Sequence, residues 1–257
     1  MTVPLAAVEY GEGPPLAILH GLFGSGRNWA SIAQLLAAHH RVLALDLRNH
    51  GASAWADTMD YAVMADDVRA TLHARGYRRY ALLGHSMGGK VAMVAALQHG
   101  AEVERLVVVD IAPVNYPPHH LAYVRAMREL DLASIKRRSE ADAGLAPSIS
   151  DSAERAFLVQ NLLFEDGRAR WRLNLAAIEQ AMPRLGEFPK LPPTAAYDGP
   201  ALFIAGGQSD YLRPEHESAI RRRFPRAEIA RIDNAGHWLH AEQPGAFLAI
   251  VEPFLRR

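Results

Sequence analysis

Ser86 stands in Gly84-His85-Ser86-Met87-Gly88, between the apolar run Arg79 to Leu83 and a helix-like run from Gly89 to Gln98. A serine at such a strand-to-helix turn projects its hydroxyl above the sheet edge, at the positive end of the next helix. The turn is tight, so the flanking positions must be small. A free serine hydroxyl is a weak nucleophile. The arrangement therefore does chemistry only where a base and oxyanion donors converge on it. That chemistry would be acyl transfer, which needs a nucleophile, a base, a group that orients the base, and oxyanion donors.

The chain offers a candidate for each. Twelve histidines are present, and His237 is singled out by its place in Asn234-Ala235-Gly236-His237-Trp238, just beyond the last strand-like run. Oxyanion donors are best fixed as backbone N–H groups. One is expected from Met87, after the nucleophile. The other is expected from Leu22, with its neighbour Phe23 as the alternative, in the small-residue loop His20-Gly21-Leu22-Phe23-Gly24-Ser25. Two aspartates could orient the base. Asp110 ends the run Val107-Val108-Val109, and Asp210 lies in Gly206-Gly207-Gln208-Ser209-Asp210. Both sit at strand ends, where a capping aspartate is also common. Asp46 and Asp233 read as structural. The chain order Ser…Asp…His is one of three known for such triads.

The elements that position these residues follow from hydrophobic period. Leu16 to Leu19, Arg41 to Leu47, Tyr80 to Leu83 and Leu106 to Ile111 are apolar, strand-like runs, and Trp29 to Ala38 and Tyr61 to Arg75 have helical spacing, with Asp66 and Asp67 expected on a polar face. Continuous apolar strands joined by helices indicate a parallel sheet covered on both faces. From about Pro113 to Pro200 the pattern turns helical and lacks strands. Pro117-Pro118 opens the stretch and Pro189, Pro192 and Pro193 close it. Inside it, helices are expected over Leu121 to Ile135, Ser152 to Phe164 and Arg170 to Met182. The sheet resumes at Ala201 to Ala205 and Glu228 to Ile232, and a last helix runs from Gln243 to Leu255. The expected organisation is a core of residues 1–113 and 200–257 with a helical cap, 114–199, inserted after the strand ending at Asp110. Tyr123, Phe157, Leu162 and Trp171 are candidates to line a substrate pocket under that cap, although residues of these types are more often cap core than substrate contacts.

Composition narrows the classes. Of 257 residues, 49% are hydrophobic, enough for a sizeable core, and the formal net charge is +0, which points to neither a nucleic-acid groove nor an anionic membrane partner. Lys136-Arg137-Arg138 and Arg221-Arg222-Arg223 read as solvated helix faces. With Cys 0, disulfides and thiol catalysis are excluded. No segment reaches the ~20 apolar residues of a membrane span, and Met1 to Tyr10 has no leader pattern. A cytoplasmic enzyme is expected, as monomer or homodimer.

His20 to Ser25, Asp46-Leu47-Arg48-Asn49-His50-Gly51-Ala52-Ser53, Gly84 to Gly89 and Asn234 to Trp238 together resemble an α/β-hydrolase over nearly the whole chain. Val109-Asp110-Ile111-Ala112-Pro113-Val114 and Trp171-Arg172-Leu173-Asn174-Leu175 narrow the resemblance to the YbfF-like esterase branch, related to abhydrolase-domain mitochondrial hydrolases. The resemblance implies hydrolysis of short-chain esters, with acyl-coenzyme A thioesters also proposed, and no metal or organic cofactor. It implies Asp110 as the acid, with a serine matching Ser209 nearby, although the wider superfamily's usual acid matches Asp210. The expected reaction is ester hydrolysis through an acyl-enzyme on Ser86. The alternatives are C–C bond hydrolysis on the same residues, or a hydrolase-like small-molecule receptor. A dehalogenase would need a carboxylate where Ser86 stands.

Overall fold

A computed structural model describes residues 1–117 and 120–257; Pro118, named above as opening the insertion, lies outside the described residues. Among the described residues, seven strands form one sheet: β1 (Ala7–Tyr10), β2 (Pro15–Leu19), β3 (Arg41–Leu45), β4 (Tyr80–His85), β5 (Val103–Val109), β8 (Ala201–Gly206) and β9 (Ala227–Ile232), in the order β1-β3-β2-β4-β5-β8-β9. All neighbours are parallel except β1, which pairs antiparallel with β3. This is the mostly parallel sheet expected from the apolar runs, plus an edge strand that the sequence reading missed. Ala7–Tyr10 is half exposed and carries no continuous apolar signal.

Alternate strand residues face opposite layers. Leu19, Leu45, Leu82 and Val108 pack with α2 (Tyr61–Ala74) and α3 (Met87–His99) on one side. Ile18, Val42, Leu83 and Val107 pack with α1 (Ala30–Leu36) and α10 (Pro244–Arg256) on the other. α3 lies under the site, and Met87 through Ala96 are all buried. Asp67 of α2 is not on a polar face. It is fully buried in a bidentate pair with Arg48, at 2.6 and 2.8 Å.

Between β5 and β8 lie α4 (Leu121–Glu129), α5 (Arg138–Leu145), α6 (Ser152–Val159), β6 (Leu162–Glu165), β7 (Arg168–Trp171) and α7 (Leu175–Gly186). The insertion therefore does not lack strands, and this corrects the sequence reading. The helix expected over Ser152 to Phe164 stops at Val159, and the one over Arg170 to Met182 starts only at Leu175. Asp166 and Gly167 have φ of 50° and 73°. Two positive φ values in succession make the two-residue turn whose twist matches a hairpin. Ala169 and Trp171 alternate inward with the exposed Arg168 and Arg170, a period of two rather than 3.6. Asn174 caps α7 by accepting the Ala177 N–H, and Asp151 caps α6. The helix from Leu121 also ends early, at Glu129, and the basic run is split, since only Arg138 lies in α5. The remaining helices, α8 (Glu217–Arg223) and α9 (Leu239–Glu242), flank β9.

Candidate active site

Ser86 sits between β4 and α3 with φ 53° and ψ −118°. A β-carbon on Gly84 would meet the Gly88 carbonyl oxygen at 2.2 Å, and one on Gly88 would meet that of Leu19 at 2.4 Å. Both glycines are required by close backbone approach, which is the physical content of the motif. The Ser86 N–H donates to the Val109 carbonyl at 3.0 Å, tying the turn to β5.

The next residue after β5 is Asp110, fully buried at φ 52°. Its Oδ2 accepts from His237 Nδ1 at 2.7 Å and also from the Ser209 hydroxyl, while Oδ1 accepts the Gly206 N–H at 3.0 Å. A carboxylate only accepts, so Nδ1 carries the proton and Nε2 is left with its lone pair. The His237 ring is stacked on Tyr211, 4.1 Å between centroids, and touches His85 at 4.6 Å. The His85 Nε2–H donates to the His237 carbonyl at 2.8 Å, so the residue before Ser86 holds the loop of the base. Ser86 and His237 line one cavity. Asp210 is elsewhere: its side chain is 87% exposed and pairs with Arg213 at 3.0 Å.

The loop after β2 is gripped from three directions. His20 donates from Nδ1 to the Gly21 carbonyl at 2.8 Å and accepts the Leu47 N–H at Nε2. His50 accepts the Phe23 N–H at 3.2 Å through Nε2, its Nδ1 donating to the Arg48 carbonyl. Asn161, between α6 and β6, donates to the Phe23 carbonyl at 2.8 Å. Phe23 is held at φ 63° by these contacts and its N–H is engaged. Leu22 lines the cavity beside Ser86, and Met87 begins α3. Asp46 is structural, as expected: its carboxylate accepts the Gly26 and Ala52 N–H groups, both at 2.7 Å.

Burial lowers the pKa of four histidines around the site, His20, His50, His85 and His240. It pushes His85 well below its usual value, with His237 and His240 adding to the effect, and pushes His50 and His240 down to about 3. His240 stacks on Trp29 at 3.9 Å and lines the cavity.

Of the four pocket candidates, Tyr123 and Phe157 line the cavity, Tyr123 donating to Glu154 and Phe157 packing on Trp238 at 5.5 Å. Leu162 and Trp171 do not. They are buried inside the insertion, where Trp171 Nε1–H donates to the Met127 carbonyl at 2.9 Å. A second cavity shares Leu22, Ser86 and His120 with the first and runs to Ile111, Met182, Leu185, Tyr116 and Lys90. Lys90 is one helical turn below Ser86 and buried, with Nζ donating to the Gly186 and Glu187 carbonyls at 2.9 and 3.0 Å. Burial lowers its pKa to about 7. Sequence reasoning missed His50, His85, Lys90 and Asn161. The first three lie inside the quoted motifs or beside them, and Asn161 precedes the hairpin.

A sheet of this order, with a strained serine at a strand-turn-helix and a histidine held by a buried carboxylate, defines an α/β protein of the hydrolase type. The chain belongs to the α/β hydrolase fold family, whose model matches residues 14–244. Within it the chain falls in the YbfF-like branch. It is 41% identical over 250 residues to the sn-1-specific diacylglycerol lipase ABHD11 of Mus musculus, covering 94% of this chain and 81% of that protein. It is 34% identical over 242 residues to Esterase YbfF of Escherichia coli K12, covering 94% and 92%. The solved structure of a marine microorganism esterase superposes with a TM-score of 0.95 at 36% identity, covering 98% of this chain and all of that one. Among the described residues no helix is long and apolar enough to cross a membrane, and no cluster of His, Cys, Asp or Glu has the grouping of a metal site.

Proposed function

We propose that this carboxylic ester hydrolase works through an acyl-enzyme on Ser86. The observation that carries the reading is the Asp110–His237 hydrogen bond of 2.7 Å in the wall of the cavity that also exposes Ser86. In the mechanism, the Ser86 oxygen adds to the ester carbonyl as its proton passes to His237 Nε2. The oxyanion accepts the N–H groups of Leu22 and Met87, each worth ~3 kcal/mol in such sites. Phe23 is set aside as a donor because its N–H is held by His50. Collapse breaks the acyl–oxygen bond, and His237 gives the proton to the departing alcohol. Water then cleaves the acyl-enzyme with the same base. Asp110 fixes the tautomer, Ser209 supports Asp110, and Asp210 has no part.

The two cavities divide the substrate. The proton goes to the leaving group from His237, so the cavity that His237 lines takes the alcohol side. The other, on the Met87 side, takes the acyl group. Lys90 and its partner Gly186 lie in its wall one turn below the nucleophile, which favours a short acyl chain over one that must pass a buried amino group. The insertion, residues 114–199, acts as a cap over both. The relatives named esterase and lipase agree with ester substrates.

The test is turnover of p-nitrophenyl acetate, butyrate and octanoate by the wild type and Ser86→Ala. The expected result is turnover that prefers the shorter acyl groups and falls by ~10⁴ or more in the variant. A folded wild type that cleaves none of the three overturns the reading.

A further inference from the structure

The cavity holding Ser86 and His237 does not end at the nucleophile. Phe23, Asn28 and Phe157 line both it and an adjoining depression, whose far wall carries Arg27 and Arg172. Those two arginines also line a wider groove that holds Trp55 and Arg170. Shared lining residues place the three side by side in a row, from the reaction centre past Phe23 towards the β6–β7 hairpin.

Positive charge gathers at its outer end. Among the described residues, neither Arg27 nor Arg172 pairs with a carboxylate. Their neighbours are already engaged: Arg170 pairs with Glu165, and Arg138 donates to the Val159 and Leu162 carbonyls. Asp46, the carboxylate lining the groove, holds two backbone N–H groups. The Arg172 guanidinium is pulled down, by burial first and then by the like charge of Arg27, with Arg170 and Arg138 adding to it and Asp46 opposing. Two unpaired guanidiniums on one wall of a groove are a site for an anion that accepts several hydrogen bonds, and guanidinium matches phosphate oxygens in geometry. Trp55, 56% exposed in the same groove, offers a large flat apolar surface beside them.

Phe157 of the shared wall packs on Trp238, the residue after His237, so the depression adjoins the cavity from which the leaving group departs. We infer that Arg27 and Arg172 form a subsite for the phosphate of a phosphorylated leaving group, with Trp55 covering the part of that group beyond the phosphate. The inference rests on the proposed ester hydrolysis. The bond broken is acyl to oxygen or sulfur, the bond formed is acyl to Ser86 Oγ, and His237 protonates the departing atom. Water completes the cycle, so no further reactant is needed. The shared chemistry is a phosphate on the alcohol or the thiol, and matched substrates separate the two sources.

The experiment measures kcat/KM for four butyryl substrates. Two have alcohol leaving groups, 1-butyrylglycerol 3-phosphate and 1-butyrylglycerol. Two have thiol leaving groups, butyryl-coenzyme A and butyryl-N-acetylcysteamine. The expected wild-type ratio of phosphorylated to neutral substrate is tenfold or more in at least one pair, and that pair identifies the source. The ratio is expected to fall several-fold between 50 and 300 mM NaCl, because an exposed contact of this kind is screened. It is expected to fall at least tenfold in Arg27→Ala/Arg172→Ala, whose thermal midpoint checks the fold. Ratios near one in both pairs, or a ratio unmoved in the double variant, overturn the subsite. Calorimetric binding of glycerol 3-phosphate and of coenzyme A reads the subsite without turnover. Binding weakened tenfold by the double variant supports it even if no ester is cleaved, and no binding at millimolar ligand overturns it. Failure of ester hydrolysis itself shows separately, as no turnover of p-nitrophenyl butyrate.

Discussion

Replacing Asp110 by asparagine keeps the shape and removes the charge, and the structure says which atom goes where. Oδ1 accepts the Gly206 N–H at 3.0 Å. That donor is backbone and cannot reorient, so the asparagine oxygen must stay opposite it. The new NH₂ then takes the place of Oδ2, facing His237 Nδ1 at 2.7 Å and the Ser209 hydroxyl. The Ser209 hydroxyl can rotate to accept. His237 cannot keep a proton on Nδ1 against a donor, so the proton moves to Nε2, the nitrogen that must take the Ser86 proton. The expected loss is ~10⁴ in kcat/KM, as when this tautomer is inverted in other serine triads, or about 5.5 kcal/mol of transition-state stabilisation. Asp210→Asn touches an 87% exposed side chain paired with Arg213, and the expected loss is less than about twofold. The assay is p-nitrophenyl butyrate hydrolysis from pH 6 to 9, with unfolding curves to show that both variants fold. A drop of 10³ in Asp210→Asn while Asp110→Asn keeps a tenth or more of its activity would refute the assignment.

Other expectations follow from the buried groups. His20, His50, His85 and His240 are kept neutral by burial, whereas in the unfolded chain they protonate near 6.5. Below that pH the unfolded state binds protons the native state does not, so stability falls with falling pH. Each histidine contributes up to about 1.4 kcal/mol per pH unit. For a domain stable by roughly 5–15 kcal/mol, the expected acid midpoint by circular dichroism lies between about pH 4 and 5.5. A fold intact at pH 3 contradicts this. Lys90 acts at the other end. With its pKa lowered from 10.5 to about 7, it leaves the unfolded state with the extra proton between those values, so stability rises with pH there. Urea midpoints at pH 7, 8 and 9, below the range where the buried tyrosines would titrate in the unfolded chain, should climb in the wild type and stay level in Lys90→Met. His50→Ala removes the acceptor of the Phe23 N–H and loosens the loop that carries Leu22. Its expected mark is a kcat lower by about tenfold with KM little changed; an unaltered kcat would remove His50 from the positioning of that loop.

The parts of the molecule that the sequence made legible share one property: residue type alone specifies the environment. β2, β4, β8 and the stretch Leu106 to Val109 of β5 are apolar runs because both faces of the sheet are covered. The glycines around Ser86 are legible because no other residue fits. The insertion was harder. Leu162 and Trp171 are apolar whether they face a cavity or the interior of the insertion, and nothing in the residue type chooses between the two. The hairpin carrying them did have a signal, Asp166-Gly167, which lies between the helices expected over Ser152 to Phe164 and Arg170 to Met182 and was not read as a strand turn. Asp110 and Asp210 both follow strands, and what separates them is backbone direction. At φ 52°, Asp110 turns into the interior directly after β5, while Asp210 lies in the loop several residues beyond the end of β8. Asp67 was misread because its partner, Arg48, lies 19 residues away in a motif with no helical relation to it.

The residues found by sequence and those missed differ in kind. Ser86, His237, Asp110 and Met87 contribute the atoms of the proposed chemistry. His50, His85 and Asn161 contribute none, yet each holds a backbone group next to one that does: the Phe23 N–H, the His237 carbonyl and the Phe23 carbonyl. Two of these come from the core and Asn161 comes from the insertion, so the loop carrying Leu22 is fixed jointly by both. A substrate seated against Phe157 therefore presses on the element that also positions an oxyanion donor, because Phe157 and Asn161 belong to one short stretch of chain and both meet Phe23 around the same depression. The stretch Asp46 to Ser53, which has no reacting atom, is explained the same way. Through Asp46, Arg48 and His50 it braces Gly26, α2 and Phe23. Preorganised oxyanion donors need such bracing, since a donor free to reorient loses much of its value at the moment charge develops.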